Sequence, residues 1–368
     1  MIGATVAVTM VAALMSPPGG YDRSTLQRDL DGLRDAGLVG VKAEVDTGPR
    51  EFTAVSGVAD RATGKPVSHR GFFRMGSTGK TFVAVVILQL VAERKMSLDD
   101  TVERWLPGVV RGKDNDGTKI SVRQLLQHTS GLHNYTNELP IFTYEEYLKH
   151  RFDQYRPEQL VAGAMRFPRD FAPGTSWKYS NTNYLLAGMI IEKVTGRGWY
   201  DQVTRRILKP LLLKDTFSPG SWPGLPYPHS KGYTKYPGTS EYVDTTLINM
   251  SWAGAVGDMI TTTADMTRFW RALLGGKLLP PKQMAQMRTT VPENTPKRAY
   301  GLGIGTIELS CGGVAWGHGG NALGYAHRNG FSDDGGRGMV MIQTSRQMGG
   351  PTEPLTDQAI DRMLCATK

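Results

Sequence analysis

Ser77 and Lys80 stand three residues apart in the stretch GSTGKT, residues 76–81. Two chemistries use a stretch of this kind. A phosphate-cradling loop needs G-x-x-x-x-G-K-[ST]. Gly79, Lys80 and Thr81 satisfy its last three positions, but its first glycine falls on Arg74, and no strongly apolar strand leads directly into the loop. The other chemistry is a serine nucleophile paired with a lysine. Residues at i and i+3 share one face of a helix, so S-x-x-K brings the Lys80 amine to the Ser77 hydroxyl. A serine hydroxyl attacks poorly until a base takes its proton. A lysine in dry surroundings loses its charge and can act as that base. Lys80 sits in the first turn of the apolar run TFVAVVILQLVAE, where a positive charge opposes the helix dipole. A capping serine beside a surface lysine leaves that cost unexplained. The spacing therefore predicts acyl transfer through Ser77, with the backbone N–H groups at the helix start favouring the developing negative charge.

Two further stretches carry chemistry. In YSNTNY, residues 179–184, Tyr179 is placed to pass a proton between Ser77 and a leaving group, and the Lys80 charge would favour its phenolate. Asn181 is expected to hydrogen-bond Lys80 and a substrate carbonyl. Capping of the following helix by Asn181 or Asn183 is the plainer reading of the asparagines, but it leaves Tyr179 without a role. In WGHGGNALGY, residues 316–325, Gly319 and Gly320 let a strand edge approach a ligand closely. The Asn321 N–H is placed to complete an oxyanion hole with that of Ser77, and His318 to bond the other side of the site. A satisfied histidine in a tight hairpin is the alternative.

The elements that must position these groups are legible from periodicity. STLQRDLDGLRDAG, from Ser24, repeats apolar residues at helical spacing and ends in glycine. GVKAEVDTG and REFTAVSGVAD pair as a hairpin. Residues 78–93 are apolar nearly all round and predict a buried central helix. SLDDTVERWLP predicts a helix capped by Ser97 and stopped by Pro107, and SVRQLLQHTSGL another capped helix. Residues 134–173 read as helical cover above the site, and NTNYLLAGMIIEKVTG as a helix with a glycine stop. From Tyr300 on, short strand-like pieces alternate with glycine turns before a last helix, EPLTDQAIDRMLC. This is an α+β pattern: an antiparallel sheet flanked by helices, with an all-helical part in roughly 95–270. One catalytic domain over 25–368 is expected.

Composition bounds the rest. The 368 residues are 40% hydrophobic and 21% charged, which is ordinary for a globular chain. The net charge of +9 is scattered and not interleaved with aromatics, so nucleic-acid binding is not expected. The first residues, MIGATVAVTMVAALMSPPGG, have the length of a signal-peptide core but no Lys or Arg before Arg23. Residues 1–24 are therefore an export remnant or an N-terminal arm that packs on the body. No later segment suits a membrane span. Cys311 and Cys365 are too far apart for a C-x-x-C motif. They form either a disulfide in an oxidising compartment or two buried thiols in a cytosolic enzyme. The 7 histidines show no metal-binding spacing, and the serine chemistry needs neither metal nor cofactor.

S-x-x-K, Y-x-N and H-x-G in this order resemble the serine beta-lactamase and penicillin-binding superfamily, in its class C beta-lactamase and Streptomyces D-alanyl-D-alanine carboxypeptidase branch. The matching stretches are GVADRATGKPV, STGKTFVAVVILQLV, SVRQLLQHTSGLHNYTN, PGTSWKYSNTNYLLAGMIIEKVTG, SWAGAVGDMITTTADMTRF and YGLGIGTIELSCGG, which run through most of the chain. The resemblance implies a beta-lactamase/transpeptidase-like fold. It makes Ser77 the acylated serine, Lys80 its lysine, Tyr179 the general base and Asn181 a substrate and lysine contact. It makes His318 the first residue of the third motif, Trp252 an aromatic at the cleft rim, and Cys311–Cys365 a terminal disulfide.

Two departures bear on specificity. The third motif of the resembled carboxypeptidase carries hydroxyls that hold the substrate's terminal carboxylate; HGGN puts Gly319 and Asn321 there. That enzyme also has an arginine where this chain has Gly305. Without this clamp, the expected donor is an amide or ester of a D-amino-acid or peptide-like acyl group, with water or an amine as acceptor. A cell-wall D-alanyl-D-alanine carboxypeptidase is the main alternative. A carboxylesterase or beta-lactamase, and a non-catalytic binding descendant, complete the set. The compartment expected is secreted or cell-envelope, with the cytoplasm as alternative.

Overall fold

A computed structural model of the chain describes residues 20–347 and 353–366. The segment read as a signal core, 1–19, lies outside the described residues.

The centre is an antiparallel sheet in the order Val291–Pro292, Arg298–Tyr300, Gly305–Glu308, Val314–Gly317, Tyr325–Phe331, Gly338–Gln343, Gly40–Asp46, Glu51–Asp60, Lys65–Pro66. The short strand Gly320–Ala322 pairs separately with Tyr325–Phe331. Both ends of the chain thus build one sheet, with Val41 opposite Gln343 and Val45 opposite Met339. Strand residues alternate between faces, and the two cores follow that period. Met339 and Met341 pack on one face with Leu26, Leu30, Leu33, Ile360 and Met363 of the first and last helices, Arg23–Asp35 and Glu353–Ala366. Val340 and Ile342 face the other core, with the helices Gly79–Ala92, Thr182–Thr195 and Thr263–Leu274.

The helix Gly79–Ala92 buries Lys80 through Leu88 without a break. Burying each large aliphatic or aromatic side chain stabilises by about 1.5–3 kcal/mol, which fixes this helix in the middle of the molecule. Residues 95–270 contribute helices such as Tyr144–His150 and Pro157–Ala164, together with a few short strands. Where SLDDTVERWLP was expected to start at Ser97, helix forms only over Val102–Trp105, capped by Thr101. Asp100 instead accepts from the Ser97 N–H and the Trp105 indole, which holds the preceding residues in a turn. Cys311 and Cys365 form a disulfide with Cα atoms 5.7 Å apart. The bond ties the last helix to the sheet.

Candidate active site

Ser77 lies in a single 3-10 turn, Gly76–Thr78, that runs into the central helix. Gly76 has φ +54, and a Cβ there would lie 2.8 Å from both Asn321 N and Asn321 O. Only glycine allows this backbone and this approach, so the turn and the strand Gly320–Ala322 meet edge to edge. Gly320 repeats the logic, since a Cβ on it would come within 2.1 Å of Met75 O. His327 donates from Nε2 to Met75 O at 2.6 Å, and Thr78 Oγ1 donates to His318 O at 2.6 Å. The nucleophile turn and the HGGN strand are thereby one unit, with Ser77 and Asn321 lining the same cleft.

Lys80 Nζ is 3.1 Å from Ser77 Oγ and 3.1 Å from Val256 O. The side chain is fully buried, and that burial holds its pKa well below the ordinary lysine value. No carboxylate offsets the desolvation. Lys80 Nζ donates to Val256 O and to Ser77 Oγ, so a lysine whose proton is held loosely by burial stands in direct contact with the Ser77 hydroxyl.

Tyr179 lines the cleft beside Ser77, and its ring centroid is 5.0 Å from Lys80 Nζ. Burial raises its pKa above the usual phenol range. This corrects the expected phenolate. The same dry interior that lowers the Lys80 pKa raises that of the Tyr179 phenol. His128 lies beneath Tyr179, with ring centroids 4.2 Å apart. It accepts from Ser180 N and Asn183 Nδ2, so Asn183 is structural. Asn181 also departs from expectation. Its Nδ2 donates to Thr136 Oγ1 rather than contacting Lys80, and its side chain does not cap the helix it precedes. Its Oδ1 is buried without a donor, at the edge of the cleft.

His318 donates from Nδ1 to Gly319 O at 2.6 Å and accepts at Nε2 from the Tyr300 hydroxyl at 2.8 Å. Burial, with Lys80 next in weight, pushes its pKa down to about 3. It is neutral, and it orients the strand without supplying a charge. Asn329 brackets its peptide, accepting from His318 N at 3.0 Å and donating to His318 O at 2.7 Å.

Two lobes open from Ser77. The acyl-side lobe, about 220 Å³, is walled by Leu139, Ile141, Met250, Trp252 and Leu323. The leaving-side lobe, about 240 Å³, has Gly305, Gly319, Glu293, Arg298 and Arg328 on its walls. Charged side chains from other parts of the chain stand beside Gly319 and Gly305, the positions where the sequence leaves no clamp. A Cβ on Gly319 would sit 2.2 Å from Arg328 Nη1, so the guanidinium occupies the space that a side chain at 319 would need. Likewise Glu293 Oε1 lies 3.7 Å from the Cβ position of Gly305. Arg328 and Glu293 were missed because neither belongs to a motif; only the paired strands bring them to the cleft.

The family described as Beta-lactamase matches residues 26–361, and the chain belongs to it. By fold and site it is a serine hydrolase of the beta-lactamase-like class. Among solved structures it is similar to a D-stereospecific amidohydrolase from Streptomyces sp., at 42% identity and a TM-score of 0.83, covering 88% of this chain and 95% of that one. It is also similar to D-amino acid amidase from Ochrobactrum anthropi SV3, at 28% identity and a TM-score of 0.80, covering 93% and 97%. Esterase EstB of Burkholderia gladioli is 33% identical over 56% of this chain; the match spans 55% of the esterase's length.

Proposed function

We propose that the protein is a serine acyl-enzyme amidohydrolase or acyltransferase acting on the amide or ester of a D-amino-acid or peptide-like acyl group. The observation that carries this reading is the fully buried Lys80 Nζ 3.1 Å from Ser77 Oγ, its pKa lowered by desolvation. Lys80 takes the Ser77 proton as Oγ attacks the scissile carbonyl. The Ser77 and Asn321 N–H groups face the oxyanion. The Tyr179 hydroxyl gives its proton to the leaving nitrogen and is reprotonated from Lys80, so the leaving group departs as a neutral amine and Ser77 is left as an ester. Water or a second amine then attacks, and the same groups run in reverse. The likeness to a D-stereospecific amidohydrolase over nearly both full lengths supports the substrate class.

A second reading, a carboxypeptidase cleaving before a terminal D-alanine, gains support from Arg328, because a guanidinium beside Gly319 suits a terminal carboxylate. D-amino-acid amides, esters and D-alanyl-D-alanine peptides, each incubated with and without added amines, separate the two. Mass spectrometry of the products should show amide and ester turnover with a transient adduct on Ser77. Turnover confined to the free-acid peptide would favour the carboxypeptidase.

The remaining assignments follow this reading. Residues 25–368 form a single catalytic domain, with the helical part in roughly 95–270, supported by the one sheet that both chain ends share. The disulfide supports a secreted or cell-envelope setting, since such bonds persist in oxidising compartments. Among the described residues no helix is long and apolar enough to cross a membrane.

A further inference from the structure

The acyl-side lobe is apolar on most of its wall, and among the described residues one charged side chain lines it: Arg346. Arg346 lies on the strand Ser345–Gln347, which pairs with Tyr233–Lys235 and sets Arg346 opposite the buried Thr234. The backbone ladder holds the residue in place. Its guanidinium makes no hydrogen bond or ion pair with any described residue. The other arginines in comparable settings are tied: Arg298 to Asp357, Arg362 to Asp29, Arg271 to Asp46. Burial lowers the Arg346 pKa with no carboxylate nearby to offset it. A cation stripped of water without a partner is unfavourable, and a carboxylate meeting the guanidinium fork would relieve that. No acidic side chain lines this lobe to compete for the guanidinium.

We propose that Arg346 selects the acyl group, and that the preferred acyl donor carries a carboxylate on its side chain that reaches the guanidinium. This rests on the acyl-enzyme reading and narrows its substrate class. The reaction is unchanged: the Ser77 ester forms as the amide nitrogen leaves, and the acyl side-chain carboxylate is held and not consumed.

The test compares two nearly isosteric donors, D-glutamic acid α-amide and D-glutamine α-amide, with D-phenylalanine amide as a neutral reference. The wild-type kcat/KM should favour the glutamic acid amide by about tenfold or more, the size of one charge-assisted contact. Arg346→Met should bring the two glutamyl-type donors to equality. Arg346→Lys, which keeps the charge without the fork, should retain a smaller preference. Equal wild-type rates overturn the proposal without any variant, and so does a preference that survives Arg346→Met. Turnover of D-phenylalanine amide with neither of the other two overturns it while the acyl-enzyme reading stands. Failure of every D-aminoacyl amide to acylate Ser77 takes down the reading and the proposal together.

Discussion

The wall that carries Ser77 and the wall facing it across the leaving side treat water in opposite ways. On the Ser77 wall, Lys80, Thr78 and His318 are buried, and desolvation lowers the pKa of both Lys80 and His318. On the leaving side, Glu293 and Arg298 are half-buried, with Arg298 paired to Asp357. Burial raises the Glu293 pKa, and the two nearby guanidiniums, Arg298 and Arg328, pull it back. Proton transfer needs groups of matched basicity close together, and a dry wall favours this by lowering a lysine's pKa. Selection among leaving groups needs groups that remain polar and reachable. On the proposed reading the chemistry belongs to one wall and the discrimination among leaving groups to the other, so substitutions on the two should fail differently.

The dry wall should break hardest. Ser77→Ala is expected to lower kcat by roughly 10⁴-fold or more, with no adduct in intact-protein mass spectra after a quenched ester turnover. An adduct elsewhere on the chain would move the nucleophile. Lys80→Met and Tyr179→Phe should each cost about 10² to 10⁴ in rate. The double variant should be little worse than the poorer single one, because they form one relay. Additive losses would separate their roles.

The pH profile sharpens the same contrast. Lys80 works uncharged and its pKa is depressed by burial, so kcat/KM should fall as pH drops through that depressed value and show no change at the ordinary lysine value of 10.5. The unfolded lysine binds its proton more tightly than the folded one. Stability from this group should therefore rise with pH across the interval between the depressed value and 10.5. An acid limb that vanished in a His318→Asn variant would assign it to His318 instead, against a pKa of about 3.

On the polar wall, effects should appear in ratios. Arg328→Met is expected to lower kcat/KM for a D-aminoacyl-D-alanine by about tenfold relative to the matched amide. An unchanged ratio would make Arg328 a wall residue only. The smallest effect on activity should come from outside both walls. Cys311→Ser removes the clamp on the last helix and should lower stability by about 3–4 kcal/mol on the loop-entropy model, with kcat near wild type below the unfolding transition. A matching loss of kcat in the folded variant would link the clamp to the site.

Local features of the chain explain which parts were readable. The run at 79–92 has no polar face, so it had to be the buried helix, and Gly196 stops the helix Thr182–Thr195 in the left-handed conformation its type allows. The short helix at 102–105 was misjudged because Asp100 hydrogen bonds outweighed the Ser97 cap. The hydrogen bonds of Asn181 were not readable because their partners come from residues 134–136, which are remote in sequence.

The amino-acid sequence alone determined the pairing of Ser77 with Lys80, the order of the three motifs and the alternation of helix and strand. These depend on spacing within one element, where periodicity dictates which side chains share a face. Only the tertiary structure decided how burial shifts the site's pKa values and which charged groups line the cleft. The Lys80 pKa is lowered because the assembled core excludes water around it. Arg328, Glu293 and Arg346 reach the cleft because strands far apart in sequence pair beside it. Desolvation and cross-strand proximity are properties of the assembled core, and no local pattern of residue types encodes them.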